Sequence, residues 1–248
     1  MIEGCTPVSE SCEHCWLAAM EYRFDKCPGI LQVANGDRKP KFNGTIICHE
    51  DRLDIPLKRK KPTVWAVWSD LFHEAVSDDF IDAVFRKMII GGLIRKHIFF
   101  ILTKRPERMA NYINGAKNFT KSEAFEYIYF GTTAENQQLA DERIPKLLQV
   151  PGKKFLSIEP ILQNIRMMSY LESCKCGYFR TEHGDSRVSC KKFIPAIDWV
   201  IVGAESGPNR RECKIEWIES IVEQCKSAGM PVFVKQIHIN GKLVKDIN

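Results

Sequence analysis

Lys96-His97-Ile98-Phe99-Phe100-Ile101-Leu102-Thr103-Lys104-Arg105-Pro106-Glu107 is the stretch that decides the fold. His97–Thr103 is a near-continuous run of aromatic and β-branched residues, the pattern of a strand covered on both faces. It ends in a polar pair, Lys104-Arg105. Pro106 then stands where proline is tolerated, at the start of a helix over Glu107–Ala116. Strand, polar cluster and helix form one unit of a parallel α/β fold.

Working outward, the same unit recurs. Strands are predicted at Thr63–Trp68, Tyr127–Thr132, Lys154–Ile158, Trp199–Gly203 and Pro231–Lys235. Helices are predicted at Asp79–Gly91, Ala140–Leu148, Asn164–Glu172 and Ile215–Ala228. Asp78 and Asp79 are placed to cap the first of these, and Gly229 closes the last. With Met1–Glu3 as a short extra strand, the count falls below the eight of a closed barrel. The expectation is α/β, a partial (β/α)6 TIM-like barrel in a single domain, 1–248. Residues 25–62 read as irregular, with turn signals at Cys27-Pro28-Gly29 and Asn43-Gly44. Residues 173–196 read as a cysteine-containing insertion before the penultimate strand.

Polar residues gather at the strand ends: Ser69-Asp70, Lys104-Arg105, Thr132-Thr133-Ala134-Glu135-Asn136, Ser157 and Glu159, Glu205-Ser206 and Lys235-Gln236. In a parallel α/β barrel such ends converge on one mouth, where active sites lie. Helix caps account for one or two of these clusters, not for the series. The pattern is that of an enzyme.

The N-terminus carries the other signal, Gly4-Cys5-Thr6-Pro7-Val8-Ser9-Glu10-Ser11-Cys12-Glu13-His14-Cys15-Trp16. Three cysteines at C-x6-C-x2-C lie in a loop before an apolar helical pattern, Trp16 to Phe24. Three thiolates with a fourth position free suit a working metal or iron–sulfur centre. A zinc site completed by Cys27, Cys48 or His49 fits the spacing as well, and so do three unligated thiols. Cys174, Cys176, His183 and Cys190 form a second group with the ligand types of a small zinc knuckle.

Composition narrows the class. The chain has 44% hydrophobic and 27% charged residues, ordinary for a globular protein. Ten cysteines with no signal-peptide pattern point to a reducing, cytoplasmic setting and to metal sites or free thiols. No apolar run approaches the ~18 residues of a membrane span. A net charge of +5 is compatible with nucleic acid or a phosphorylated substrate and argues for neither. The run Lys58-Arg59-Lys60-Lys61 reads first as a solvated face.

The chain resembles the phage Gp37/Gp68-like family, which is similar to divergent radical S-adenosylmethionine enzymes. The matching residues are the cysteine stretch, Ser69-Asp70-Leu71-Phe72-His73-Glu74, Leu102-Thr103-Lys104-Arg105-Pro106, Glu135-Asn136-Gln137 and Asp141-Glu142-Arg143-Ile144-Pro145. Further on come Glu159-Pro160, Asp198 through Pro208, and Phe233-Val234-Lys235-Gln236. They span nearly the whole chain. The superfamily's usual motif is C-x3-C-x2-C, and here the first gap is six residues.

The resemblance implies that Cys5, Cys12 and Cys15 hold three irons of a [4Fe–4S] cluster, with S-adenosylmethionine on the fourth. Reductive cleavage would then give a 5′-deoxyadenosyl radical. It implies Ser69 and Asp70 at the methionine amino group, and Lys104 or Arg105 at a carboxylate. Thr132, Thr133, Glu135 and Asn136 fall to the ribose, and Ser206 to the cofactor side. Glu159, Glu205 and Lys235 are the implied catalytic groups, with Gln236 toward substrate; the other reading of Glu159 and Glu205 is an internal ion pair with Lys104, Lys235 or an arginine inside the barrel. A flavodoxin- or ferredoxin-type electron donor is implied. So is a nucleotide or DNA substrate, best matched by radical isomerisation of an amino-acid substituent on thymidine in phage DNA. Trp65, Trp68 and Phe72 near the mouth are placed either to stack on a flipped-out base or to belong to the core. Two other readings stand beside this one. One is a divalent-metal barrel hydrolase or nuclease using Asp70, His73, Glu159 and Glu205. The other is a nucleic-acid-binding protein stabilised by zinc.

Overall fold

A computed structural model describes the chain except residues 25–28, 34–39, 116–124, 173–194, 208 and 248. The expected insertion and the cysteines and histidine of its zinc knuckle fall almost wholly in 173–194, outside the described residues.

The fold is mixed α/β around a seven-stranded sheet. Its strands are β5 (Val64–Val67), β6 (Ile98–Thr103), β7 (Ile128–Thr133), β8 (Lys153–Ile158), β9 (Trp199–Gly203), β10 (Val232–Ile239) and β11 (Lys242–Ile247). The order is β11-β10-β9-β8-β7-β6-β5. The β5–β6, β8–β9 and β9–β10 pairs are parallel, as the strand–helix repeat predicts. Each predicted strand of the repeat forms, within a few residues of its expected limits.

Two corrections concern strands. β11 was not expected; it pairs antiparallel with β10, so the segment 173–196 precedes the third strand from the end rather than the penultimate one. Its sequence, Lys242-Leu243-Val244-Lys245-Asp246-Ile247, is too interrupted by charge to read as a covered strand. The signal lay in Asn240-Gly241, whose φ angles of 49° and 73° make the two-residue hairpin turn. Met1–Glu3 contributes β1 (Ile2–Glu3), which pairs with β4 (Ile47–Cys48) in a separate two-stranded sheet. Between them β2 (Leu31–Gln32) pairs with β3 (Lys41–Phe42).

The helices are α1 (Trp16–Phe24), α2 (Ile55–Lys58), α3 (Asp78–Arg95), α4 (Pro106–Gly115), α5 (Gln137–Leu148), α6 (Met168–Leu171) and α7 (Ile215–Ser227). Ser77, not Asp78 or Asp79, caps α3, its hydroxyl accepting from the Phe80 amide; the two aspartates occupy the first turn, where their charge favours the helix dipole. The helix expected over Asn164–Glu172 shrinks to one turn. The Arg166 and Met167 amides, which precede that turn, donate at 2.7 Å to the side chains of Gln137 and Gln224.

The chain divides into two compact units. The first comprises Met1–Gly131, Val150–Gly152 and Gly207–Arg210. Its core centres on Phe85, fully buried, with its ring against those of Phe72, Tyr112, Phe125 and Phe130. A satellite cluster of Leu17, Ala18, Ile30 and Phe42 packs Cys5 and Cys15 at its border. The second unit comprises Thr132–Gln149, Lys153–Ser206 and Arg211–Asn248, around Ile144, Leu147, Leu156, Val202 and Ile221.

Candidate functional site

In the first unit the cysteine loop is pinned by its own backbone. Gly4 has φ +90°, and a Cβ there would collide with the Thr45 carbonyl, so only glycine fits. The Cys5 carbonyl accepts from the Gly44 amide at 3.1 Å. A short 3-10 helix, Glu10–His14, carries Cys12, whose amide donates to the Ser9 carbonyl at 3.0 Å. Cys15 directly precedes α1, its carbonyl accepting from Ala19 at 3.1 Å. The three free thiols are half-buried and differ in electrostatic setting. Burial and the Asp70 carboxylate push Cys5 up to about 12. Burial would also raise Cys12, but the Lys104 ammonium and hydrogen bonds from the Val8 and Ser9 backbone outweigh it and leave that thiol lowered. Burial raises Cys15 although the amides of Ala18 and Leu17, at the start of α1, point toward it.

Lys104 stands at the end of β6 and reaches across to this loop. Its ammonium donates to Ser9 Oγ at 2.8 Å, to Ser11 Oγ, and to Cys12 Sγ at 3.2 Å. Arg105 faces different partners. It bonds Asp70 Oδ2 at 2.8 Å and Glu74 Oε1 at 2.7 Å. The other Asp70 oxygen accepts from Thr103 Oγ1 at 2.6 Å and the Phe72 amide at 3.1 Å. Asp70 is therefore a paired, buried carboxylate. Ser69 beside it has φ 63°, an uncommon conformation for a residue with a side chain.

His73 completes the group. Its Nδ1 accepts from the Ala75 amide at 3.1 Å, which puts the ring proton on Nε2, 2.7 Å from Thr6 Oγ1. Burial and then the Arg105 charge lower its pKa, so the neutral ring is favoured. The three aromatics divide between the two readings. Phe72 is fully buried core, and Trp65 is half-buried with its ring 5.9 Å from that of His97. Trp68 is 50% exposed and meets Trp16, 53% exposed, edge to face at 5.6 Å.

The second unit holds the remaining predicted residues. Glu159 accepts from Lys235 Nζ at 2.9 and 3.1 Å and from Gln236 Nε2 at 2.7 Å. Gln236 also donates to the Ala204 carbonyl at 2.6 Å. Glu205 is buried and paired with Arg211, while its carbonyl takes a bond from His238 Nε2 at 3.1 Å. Glu135, with no exposed surface, pairs with Arg143 at 3.2 Å; the same guanidinium donates to the Thr133 carbonyl. The Asn136 side chain caps α5, accepting from Leu139 at 2.9 Å. Thr132 is fully buried and Ser206 half-buried.

Several of these participants were not singled out from sequence: Ser9, Ser11, Thr103, Arg211 and His238. The hydroxyls of Ser9 and Ser11 sit in the unusually wide gap between Cys5 and Cys12, which was the available signal. Among the described residues no three histidine, cysteine, aspartate or glutamate side chains converge on a metal position. Cys5 Sγ instead contacts the Thr6 carbonyl at 3.5 Å, and Cys12 Sγ lies 3.7 Å from Ser9 Oγ. No helix among the described residues is long and apolar enough to cross a membrane.

Residues 1–245 match the model of a family described as "Protein of unknown function (DUF5131)", and the chain belongs to that family. Comparisons with curated proteins and with solved structures find no match.

Proposed function

We propose that this chain is a radical S-adenosylmethionine enzyme whose Cys5, Cys12 and Cys15 hold a [4Fe–4S] cluster, and that it modifies a nucleotide or DNA base. The observation that carries the reading is the cysteine loop. Three thiols of one short segment lie half-buried in one unit. Soft thiolates are the donor type that selects iron–sulfur clusters, so the donor set fits in chemistry. The contacts of Cys5 Sγ with the Thr6 carbonyl at 3.5 Å and of Cys12 Sγ with Ser9 Oγ at 3.7 Å are weak ones that a metal–thiolate bond would replace.

When bound, the cluster supplies the electron that cleaves the sulfonium of S-adenosylmethionine. The chain's own residues then have distinct tasks. Amides at the start of α1 and the Lys104 ammonium offset thiolate charge at Cys15 and Cys12. The Arg105–Asp70 pair fixes the β5 and β6 ends that carry Ser69 and Lys104. In the second unit, the Glu159–Lys235 pair is the group proposed to exchange protons with substrate, because its members share a hydrogen bond and Lys235 is half-exposed. Thymidine bearing an amino-acid substituent is the proposed substrate. The hydrolase reading is weaker on specific grounds. Asp70 is taken up by Arg105, and both His73 nitrogens are engaged.

The test is an anaerobic assay with iron, sulfide, dithionite and S-adenosylmethionine. Formation of 5′-deoxyadenosine by the wild-type chain, and none by a chain with Cys5→Ala, Cys12→Ala and Cys15→Ala, is expected. Equal turnover by both sinks the proposal.

A further inference from the structure

We propose that Lys104 is a positioning residue of the cysteine loop: its ammonium clasps Ser9, Ser11 and Cys12 to the end of β6 and raises the reduction potential of the group the cysteines hold. The second half rests on the iron–sulfur reading above; the clasp does not.

An ammonium has three N–H donors and no acceptor. Here three acceptors from one loop surround Nζ: Ser9 Oγ, Ser11 Oγ and Cys12 Sγ. They also touch each other, Ser9 Oγ lying 3.4 Å from Ser11 Oγ and 3.7 Å from Cys12 Sγ. Ser11 is 7% exposed and Ser9, Cys12 and Lys104 are half-buried, so the cluster is partly withdrawn from water, where charge-assisted bonds gain strength. The contacts join residues 92 to 95 apart in sequence, so they fasten the loop to the sheet rather than to itself. Both hydroxyls come from the residues between Cys5 and Cys12. The wide gap thus has a physical occupant: it carries the oxygens that receive this cation. Lys104 and Arg105 divide the work, one holding the loop and the other Asp70 and Glu74.

A positive charge 3.2 Å from Cys12 Sγ would stabilise the more negative, reduced state of a cluster held there. Hydrogen bonds to ligand sulfur and net charge are the means by which proteins set such potentials.

The experiment compares the full wild-type chain with Lys104→Met, which keeps length without charge, and Lys104→Arg, which keeps charge. Lys104→Gln replaces Lys104→Met if circular dichroism shows that the latter has not folded. Hydrogen exchange is first measured on the reduced chains without metal. Amides over Glu10–Trp16 should exchange about tenfold faster in Lys104→Met, the worth of a charge-assisted bond, and at nearly the wild-type rate in Lys104→Arg. Unchanged exchange in Lys104→Met overturns the clasp. The chains are then reconstituted with iron and sulfide and titrated with dithionite under electron paramagnetic resonance. Lys104→Met should reduce at a more negative potential than wild type, with Lys104→Arg restored. One potential for all three chains overturns the electronic half. Exchange that responds as expected in a wild-type chain that takes up no cluster upholds the clasp and defeats the iron–sulfur reading alone.

Discussion

Arg105→Met isolates the buried ion pair at the end of β6. Asp70 and Arg105 have side chains 7% and 8% exposed and meet at 2.8 Å. Removing the guanidinium leaves a carboxylate in a largely dry site, a change that costs about 3–5 kcal/mol when nothing replaces the partner. Thr103 Oγ1 and the Phe72 amide still donate to Asp70, offsetting about 1 kcal/mol. The lost Glu74 bond adds little, since that carboxylate is 69% exposed. The expected destabilisation is therefore about 2–4 kcal/mol. With a urea dependence near 2 kcal/mol per molar, it lowers the unfolding midpoint by roughly 1–2 M. Combining Arg105→Met with Asp70→Asn removes the orphaned charge, so the double variant should be more stable than the sum of the single losses predicts. A single variant within about 0.5 kcal/mol of wild type, or strict additivity in the double, would refute the reasoning.

Further outcomes follow from the same contacts. In the reduced chain without metal near neutral pH, iodoacetamide should modify Cys12 before Cys5 and Cys15, read by peptide mass spectrometry, because only Cys12 is shifted toward thiolate. Gly92→Ala should cost about 1–3 kcal/mol, its Cβ falling 2.6 Å from that of Tyr127, whereas Gly115→Ala, whose Cβ meets nothing within 4 Å among the described residues, should be neutral or slightly stabilising; thermal melts decide both. His73 has a folded pKa below its ordinary 6.5, so the unfolded chain binds the proton more readily there. Its contribution is complete above about pH 6.5 and is lost as pH falls through the folded value. His73→Gln should accordingly flatten the loss of stability on acidification, measured by urea midpoints at pH ~7.5 and ~5.5.

The sheet was legible because its strands are near-continuous apolar runs closed by polar residues, although their burial is uneven, alternating along β6 and nowhere complete along β5: His97–Thr103 and Trp199–Gly203 declare both their direction and their ends. β11 escaped because an edge strand needs only one paired side and tolerates Lys242 and Lys245. Its turn, Asn240-Gly241, was the readable part. The shortness of α6 has no local signal in the sequence; the amides that precede it donate to glutamine side chains from elsewhere in the chain. For the site, sequence singled out Asp70, Lys104, Arg105, Glu159, Glu205 and Lys235. It offered Glu159 and Glu205 an ion pair with Lys104, Lys235 or an arginine, and the pairs found are Glu159 with Lys235 and Glu205 with Arg211; it could not say how Asp70, Lys104 and Arg105 pair. That Arg105 meets Asp70 while its neighbour Lys104 meets Cys12 depends on which way successive side chains leave the end of a strand. No local pattern encodes contacts across more than 90 residues.

The account turns on what Cys5, Cys12 and Cys15 bind. After anaerobic reconstitution and desalting, iron and acid-labile sulfide are measured per chain, beside the chain in which all three are alanine. About four of each in the wild type and almost none in the variant is the result expected of a three-cysteine [4Fe–4S] site. Zinc without iron, or iron and sulfide retained when the three cysteines are gone, contradicts it.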